Sequence, residues 1–210
     1  MKIASQIDYN KYNLNNIVPA SDDTGNLEEN VKGDRNAPVK IVEYADYQCE
    51  YCALYNPYIN ELVENYDGKV AVIFRTFLLS YHNNATAAAS AANAAAIQGY
   101  WKEYADTLFS NQNDWYYAES SERLSLFISY FNDATNGNGD VEQFKSDMRS
   151  KEVSQKITFD MGAAKLADLT GTPAFFINGE SVTLSQDKDV FMKNFAEKID
   201  PLLGEEKEDE

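Results

Sequence analysis

The chain has very little cysteine or histidine: Cys49, Cys52 and His82 are all it offers in 210 residues. A structural zinc site takes four nitrogen or sulfur ligands in a tetrahedron, so a monomer with this inventory cannot build one. Basic residues are scarce as well. Lys and Arg number 18 against 34 Asp and Glu, a formal net charge of −16, which excludes a nucleic-acid surface because phosphate binding needs cationic side chains in excess. No run approaches the ~20 apolar residues of a membrane span, and residues 1–8 lack the apolar core of a signal peptide. No glycine-rich phosphate loop joins a strand to a helix, and no metal-ligand cluster surrounds His82. The chemistry expected is therefore that of side chains alone, with no metal and no cofactor.

What is present is a core-forming composition, 44% hydrophobic with 13% aromatic, in a length that suits one domain carrying an insertion. Both cysteines fall in Tyr44-Ala45-Asp46-Tyr47-Gln48-Cys49-Glu50-Tyr51-Cys52-Ala53, where a strand pattern runs into a helical one. Backbone N–H groups in the first turn of a helix carry partial positive charge and favour a thiolate. The thiolate is the attacking species in thiol–disulfide exchange, and a second cysteine one turn on can resolve the mixed disulfide. Cys49 is thus the candidate exposed nucleophile and Cys52 its shielded partner. A purely structural disulfide is the alternative, but so short a ring removes little unfolded-state entropy.

Residues 1–36 are polar and rich in Asn, Asp and Gly, which predicts a flexible leader or spacer. The fold proper is expected from Pro38, with residues 39–45 a β-branched central strand. Glu43 is its outlier, sharing parity with Val39, Ile41 and Ala45 and so facing a covered side of the sheet. Six residues before Cys49, a buried carboxyl with a raised pKa can accept or pass a proton during exchange; an ion-paired edge residue is the alternative. After Cys52, Leu54, Tyr55, Tyr58, Ile59, Leu62, Val63 and Tyr66 mark an amphipathic helix that Pro57 should kink and Asp67-Gly68 end. Residues 70–77 then give a second buried strand and a right-handed βαβ unit.

Residues 83–168 show only helical patterns: an alanine-rich run at 85–97 continuing through Tyr100, Trp101, Tyr104, Leu108 and Phe109, then 122–131, 141–149 behind an Asp140 cap, and 152–169. They read as an all-helical domain inserted between 37–82 and 169–204, with His82 a structural residue at the junction. The sheet resumes at Gly171-Thr172-Pro173-Ala174-Phe175-Phe176-Ile177, turns at Asn178-Gly179 and continues to residue 184. Beside the dithiol, the backbone of Thr172 would be offered to an extended substrate chain. Whether Pro173 is cis or trans the residues alone leave open. A last helix over 190–203 packs the sheet, and 205–210 form a solvated acidic tail.

A strand, a CxxC at a helix start, Pro57 eight residues past the first cysteine, a second strand, a helical insertion and a Thr-Pro before a hairpin together resemble the DsbA-like family of the thioredoxin superfamily, over about residues 38–203. The resemblance implies an α/β thioredoxin fold with an inserted all-helical domain, attack at Cys49, resolution by Cys52, a cis Pro173, and Glu43 in the place of the acid that members carry. Family members act mostly outside the bacterial cytoplasm, often behind a cleaved signal or membrane anchor. They pass disulfides to secreted proteins, and many are reoxidised by a quinone-linked membrane partner. Extracytoplasmic placement, membrane anchoring ahead of residues 1–36, and reduced exported proteins as substrates follow as expectations. The departure is Glu50-Tyr51, where strongly oxidising members carry Pro-His. A carboxylate beside Cys49 disfavours its thiolate, so an intermediate potential is expected, which Glu50→His should raise.

The function expected is oxidation of cysteine pairs in exported proteins through Cys49 and Cys52. A reductase or isomerase of the same fold is one alternative, since direction depends on potential and partner. A non-catalytic peptide-binding module is the other; Cys49→Ala separates it from the enzymes, which alone lose turnover.

Overall fold

A computed structural model describes residues 2–204. Its sheet holds β1 (Asn30–Gly33), β2 (Val39–Ala45), β3 (Val70–Thr76), β4 (Ala174–Ile177) and β5 (Glu180–Ser181) in the order β1-β3-β2-β4-β5. The β-branched run of β2 lies at the centre, parallel to β3 with Ile41 opposite Val72 and Glu43 opposite Phe74. A parallel pair needs a crossover, supplied by α1 (Glu50–Asn65). β4 runs antiparallel to β2, and its hairpin turns on Asn178 and Gly179, whose positive φ angles of 51° and 81° suit the two central positions of a type I′ turn. Strand pairing ends at Ser181, short of the expected residue 184. The last helix, α8 (Lys188–Leu203), is capped by Asp187, which accepts from the Val190 N–H. Its Phe191, Phe195 and Ile199 are fully buried against Tyr55 and Ile59 of α1 and Phe175 and Ile177 of β4.

Between β3 and β4 the chain forms α2 (Ala85–Ile97), α3 (Trp101–Ser110), α4 (Gln112–Trp115), α5 (Ser120–Ala134), α6 (Val141–Asp147) and α7 (Lys151–Leu166). The alanines of α2 are buried almost all round, and their small side chains let α3, α6 and α7 approach closely. The expected continuation of α2 into α3 is broken at Gly99, whose φ of 84° a helix cannot hold. Tyr47, Cys49, Cys52 and Phe74 share a core with α2, α3 and α5, so the dithiol lies where sheet and helices meet.

The flexible leader expected over residues 1–36 is corrected by the structure. Residues 30–33 are an edge strand of the sheet, antiparallel to β3, so the sheet begins before residue 37. The residues ahead of them form three short 3-10 turns, and Ile7 and Val18 are buried against Phe159. Polar composition misled because the polar groups are paired inside. Arg75 Nε and Nη2 donate to Glu29 Oε1 at 3.0 and 2.9 Å, and Lys156 Nζ donates to Glu29 Oε2 at 3.0 Å and to Asp160 Oδ1 at 2.6 Å. Arg75 also donates to the carbonyls of Leu14 and Asn16, at 2.6 and 3.0 Å. Gly162 of α7 leaves room for the segment: a Cβ there would lie 1.9 Å from the Tyr9 hydroxyl, which donates to the Phe159 carbonyl. The acidic tail at 205–210 lies outside the described residues.

Candidate active site

β2 ends at Ala45, and the turn that follows is fixed by the buried carboxylate of Asp46. Its Oδ1 accepts from the Gln48 N–H at 2.8 Å, and its Oδ2 accepts from the Leu79 N–H at 2.9 Å and meets His82 Nδ1 at 2.9 Å. His82 therefore ties the loop after β3 to the loop before Cys49. The helical block grips the same loop: Gln112 Nε2 donates to the carbonyls of Tyr47 and Cys49, and Gln48 Nε2 donates to that of Tyr116. Held in this way, Cys49 is the N-cap of α1, in extended backbone at φ −77°.

Cys49 is not the exposed residue expected: it is 5% exposed under the Thr172–Pro173 loop, and Cys52 is fully buried behind it. Both thiols are free, and Cys49 Sγ lies 3.4 Å from the Thr172 carbonyl oxygen, to which it donates. The Thr172–Pro173 peptide is cis. The Cys49 pKa is lowered to about 6, first by the Cys52 thiol, against the opposing effect of burial, then by Thr172 and the N–H groups of Cys52 and Tyr51. The Thr172 hydroxyl is buried with no hydrogen-bond partner among the described residues, so it is free to donate when Cys49 ionises. Burial and the neighbouring Cys49 push the Cys52 thiol well above its ordinary value. The two sulfurs are thus divided into one ionised at neutral pH and one protonated.

Glu43 is 3% exposed, and burial raises its pKa to about 7 against the opposing field of Lys32. Lys32 comes from β1 and is 1% exposed, its Nζ donating to Asn56 Oδ1 at 2.5 Å, Asn60 Oδ1 at 2.6 Å and Asp106 Oδ1 at 2.9 Å. It joins the sheet edge to α1 and α3 beside Glu43. Although burial opposes it, Lys32 with Asn56 and Asn60 holds Asp106 down to about 2. Glu50 is exposed and Tyr51 is 50% exposed. The Glu50 carboxylate is consequently screened by solvent, and its repulsion of the Cys49 thiolate is weak beside the hydrogen bonds the sulfur receives.

The structure brings Cys49, Cys52, Thr172 and Pro173 to one place, with Glu43 on the strand leading into it. Sequence reasoning missed Asp46, Gln48, Gln112 and Lys32, which hold the loop or face the acid. Asp46, three residues before Cys49 at the end of a strand, was the one with a local signal, that of a side chain closing a turn. Among the described residues no three His, Cys, Asp or Glu are grouped to hold a metal.

A dithiol at the start of the crossover helix between parallel strands, roofed by a cis-proline loop and flanked by a helical insertion, defines a thioredoxin fold of the DsbA-like kind. The comparisons agree. A family model described as thioredoxin matches residues 26–197. The solved structure of Wolbachia pipientis alpha-DsbA1 is similar with a TM-score of 0.62 and 25% identity, over 84% of this chain and 91% of that one. A periplasmic thioredoxin-like protein from Salmonella enterica serovar Typhimurium shares the fold, with a TM-score of 0.65 and 18% identity over 81% of this chain and 90% of that one. The Na(+)/H(+) antiporter NhaA 3 of Salinispora tropica is 34% identical over 166 residues, which are 78% of this chain and 23% of that protein. The chain thus spans about a quarter of the length of that relative. It belongs to the thioredoxin family, as a DsbA-like member.

Proposed function

We propose that the chain oxidises cysteine pairs in exported proteins. A substrate thiolate attacks Cys49 in the Cys49–Cys52 disulfide, forming a mixed disulfide and releasing Cys52 as thiolate, which takes up a proton. A second substrate thiolate then attacks the substrate sulfur of the mixed disulfide and releases Cys49 as thiolate. The substrate loses two electrons and the enzyme holds them as its dithiol, until a partner, such as a quinone-linked membrane protein, removes them. Glu43, with a pKa of about 7, supplies or accepts the Cys52 proton at neutral pH. The backbone of Thr172, next to Pro173, binds the extended substrate chain beside Cys49. Glu50 and Tyr51 tune the pair only weakly.

The observation that carries this reading is the placement of Cys49 at the N-terminus of α1, against Cys52 and Thr172, which lowers its pKa to about 6. A stabilised thiolate favours the reduced enzyme, and so favours giving the disulfide away. Placement outside the cytoplasm and tethering at a membrane fit the match to part of a longer antiporter chain. Among the described residues no helix is long and apolar enough to cross a membrane, so tethering would come from outside them.

The test is the reduction potential of the pair, by equilibration in glutathione buffers with thiol alkylation as readout. A value toward about −120 mV supports a disulfide donor, and one toward about −270 mV overturns this direction in favour of a reductase. Cys49→Ala should abolish turnover of a reduced protein substrate; retained turnover would remove the dithiol from the reaction.

A further inference from the structure

Eight large hydrophobic side chains are exposed among the described residues, and three of them are tyrosines: Tyr51, Tyr81 and Tyr117 at 50, 73 and 88%. All three are tied to the loop and helix that carry Cys49. Tyr51 is in the first turn of its helix. The Tyr81 ring stacks edge-on against His82, 4.6 Å between centroids, and His82 is held by Asp46 in the dithiol loop. The Tyr117 ring lies 4.5 Å from that of Tyr116, whose carbonyl accepts from Gln48, the residue before Cys49. Between the two outer rings is an open groove of about 410 Å³ whose walls include Gln48, Asn84 and Arg123. Asn84 is fixed by donating to the carbonyls of Trp115, Tyr116 and Ala118. Arg123 donates to Asn84 Oδ1 and makes no ion pair with a described residue, although acidic side chains outnumber basic ones in the chain. Neither Thr172 nor Pro173 lines this groove.

We propose that this tyrosine-walled groove is a second docking region for the substrate polypeptide, separate from the Thr172 backbone. The occupant is an extended, unfolded segment next to the substrate cysteine. Tyr81 and Tyr117 cover its side chains, and the free N–H groups of Arg123 donate to its carbonyls. Tyrosine suits such a role because it offers a large amphipathic surface with few rotatable bonds, and so tolerates many sequences at low entropic cost. The groove's continuity with the residue before Cys49 is what selects a substrate chain as occupant over an unrelated ligand. The inference rests on the exchange chemistry proposed above and adds the means by which an unfolded chain is preferred over a small thiol.

The experiment compares a reduced, unstructured peptide carrying two cysteines with dithiothreitol as alternative reductants of the oxidised protein. Two aromatic contacts of ordinary strength amount to about tenfold in affinity. For Tyr81→Ala/Tyr117→Ala, the ratio of peptide to dithiothreitol kcat/KM should fall about tenfold, through KM for the peptide, and Tyr81→Phe/Tyr117→Phe should restore it. A ratio within twofold of the wild type overturns the groove, whether both rates fall together or neither does, and leaves the exchange chemistry standing. Wild-type protein that oxidises neither reductant overturns the exchange chemistry, and the groove with it.

Discussion

Replacing Cys52 by alanine shows what holds the Cys49 thiolate. The Cys52 thiol is the largest of the influences that bring Cys49 from an ordinary 9.0 to about 6. A hydrogen bond to a charged acceptor contributes about 1.5–3 kcal/mol, equivalent to about 1–2 pKa units. A sulfhydryl is a weak donor and solvent reaches part of the Cys49 environment, so the lower end applies, a rise of about one unit. Cys52→Ser, which keeps a donor of similar size, should rise by less. The pH dependence of iodoacetamide alkylation of Cys49, or the ultraviolet absorbance of its thiolate, reads the midpoint directly. A Cys52→Ala midpoint still at about 6 would refute the assignment and leave the N–H groups of Tyr51 and Cys52, with Thr172, as the stabilising groups. The shift bears on redox balance. An acid whose pKa is depressed stabilises the reduced state increasingly above that pKa, up to its ordinary value, and the gain is lost as pH falls through about 6. At neutral pH this is ~1.4 kcal/mol before screening and about 1 kcal/mol after it, or ~20 mV toward a more oxidising pair.

Three further outcomes follow from the buried charges. Glu43 binds its proton more tightly folded than unfolded, 4.5 becoming about 7, so it subtracts stability as pH rises between those values. Glu43→Gln should therefore be about 2–3 kcal/mol more stable than wild type in urea unfolding above neutral pH and equal to it near the ordinary carboxylate pKa; parallel pH profiles would contradict this. Lys32→Met leaves the half-buried Asp106 with only the exposed Lys102 as its cation, and the side-chain carbonyls of Asn56 and Asn60 without the Lys32 donor, and should cost about 1–3 kcal/mol. Asp106 should then titrate well above its present value of about 2, removing the stability now lost only as pH falls through that value; carboxylate chemical shifts would show an unmoved Asp106 if the pairing were idle. Arg75→Met leaves the carbonyls of Leu14 and Asn16 without their donor and Glu29 with Lys156 alone. Limited proteolysis should then cut between residues 2 and 29 well before the rest of the chain, and equal resistance would refute Arg75 as the clamp.

The sheet, the crossover helix and the hairpin were legible because each announces itself locally. Residues 39–45 and 70–77 are β-branched runs, Asn178-Gly179 fits one turn type, and the cysteines lie at a helix start. Glu43 was legible from parity alone, since a carboxylate among Val39, Ile41 and Ala45 can only face a covered side. Gly99, which splits α2 from α3, was passed over because alanine-rich helix flanks it on one side and helically spaced aromatics on the other. Lys32, Glu29 and Asp23 were illegible for a different reason. A buried ion pair has the composition of a solvated loop, and its partners, Asp106, Arg75 with Lys156, and Lys2, lie 74, 46, 127 and 21 residues away.

Those hidden partners divide by face in a way the strand register explains. Residues opposite each other in a ladder share a face, so Lys32, opposite Val72, lies on the side of Phe74 and of Glu43 opposite it, toward α1 and α3. Arg75, opposite Tyr44, belongs to the other side, where Glu29, Lys156 and Asp160 close around it. Each face thus carries its own buried charge cluster, and β1 with the residue before it contributes to both, Lys32 to one and Glu29 to the other. The edge strand is therefore part of the site's electrostatics as well as the sheet's border. Its Lys32 is the cation that opposes the rise in the Glu43 pKa, so the proton transfer proposed between Glu43 and Cys52 would depend on a segment whose composition alone resembles a tether.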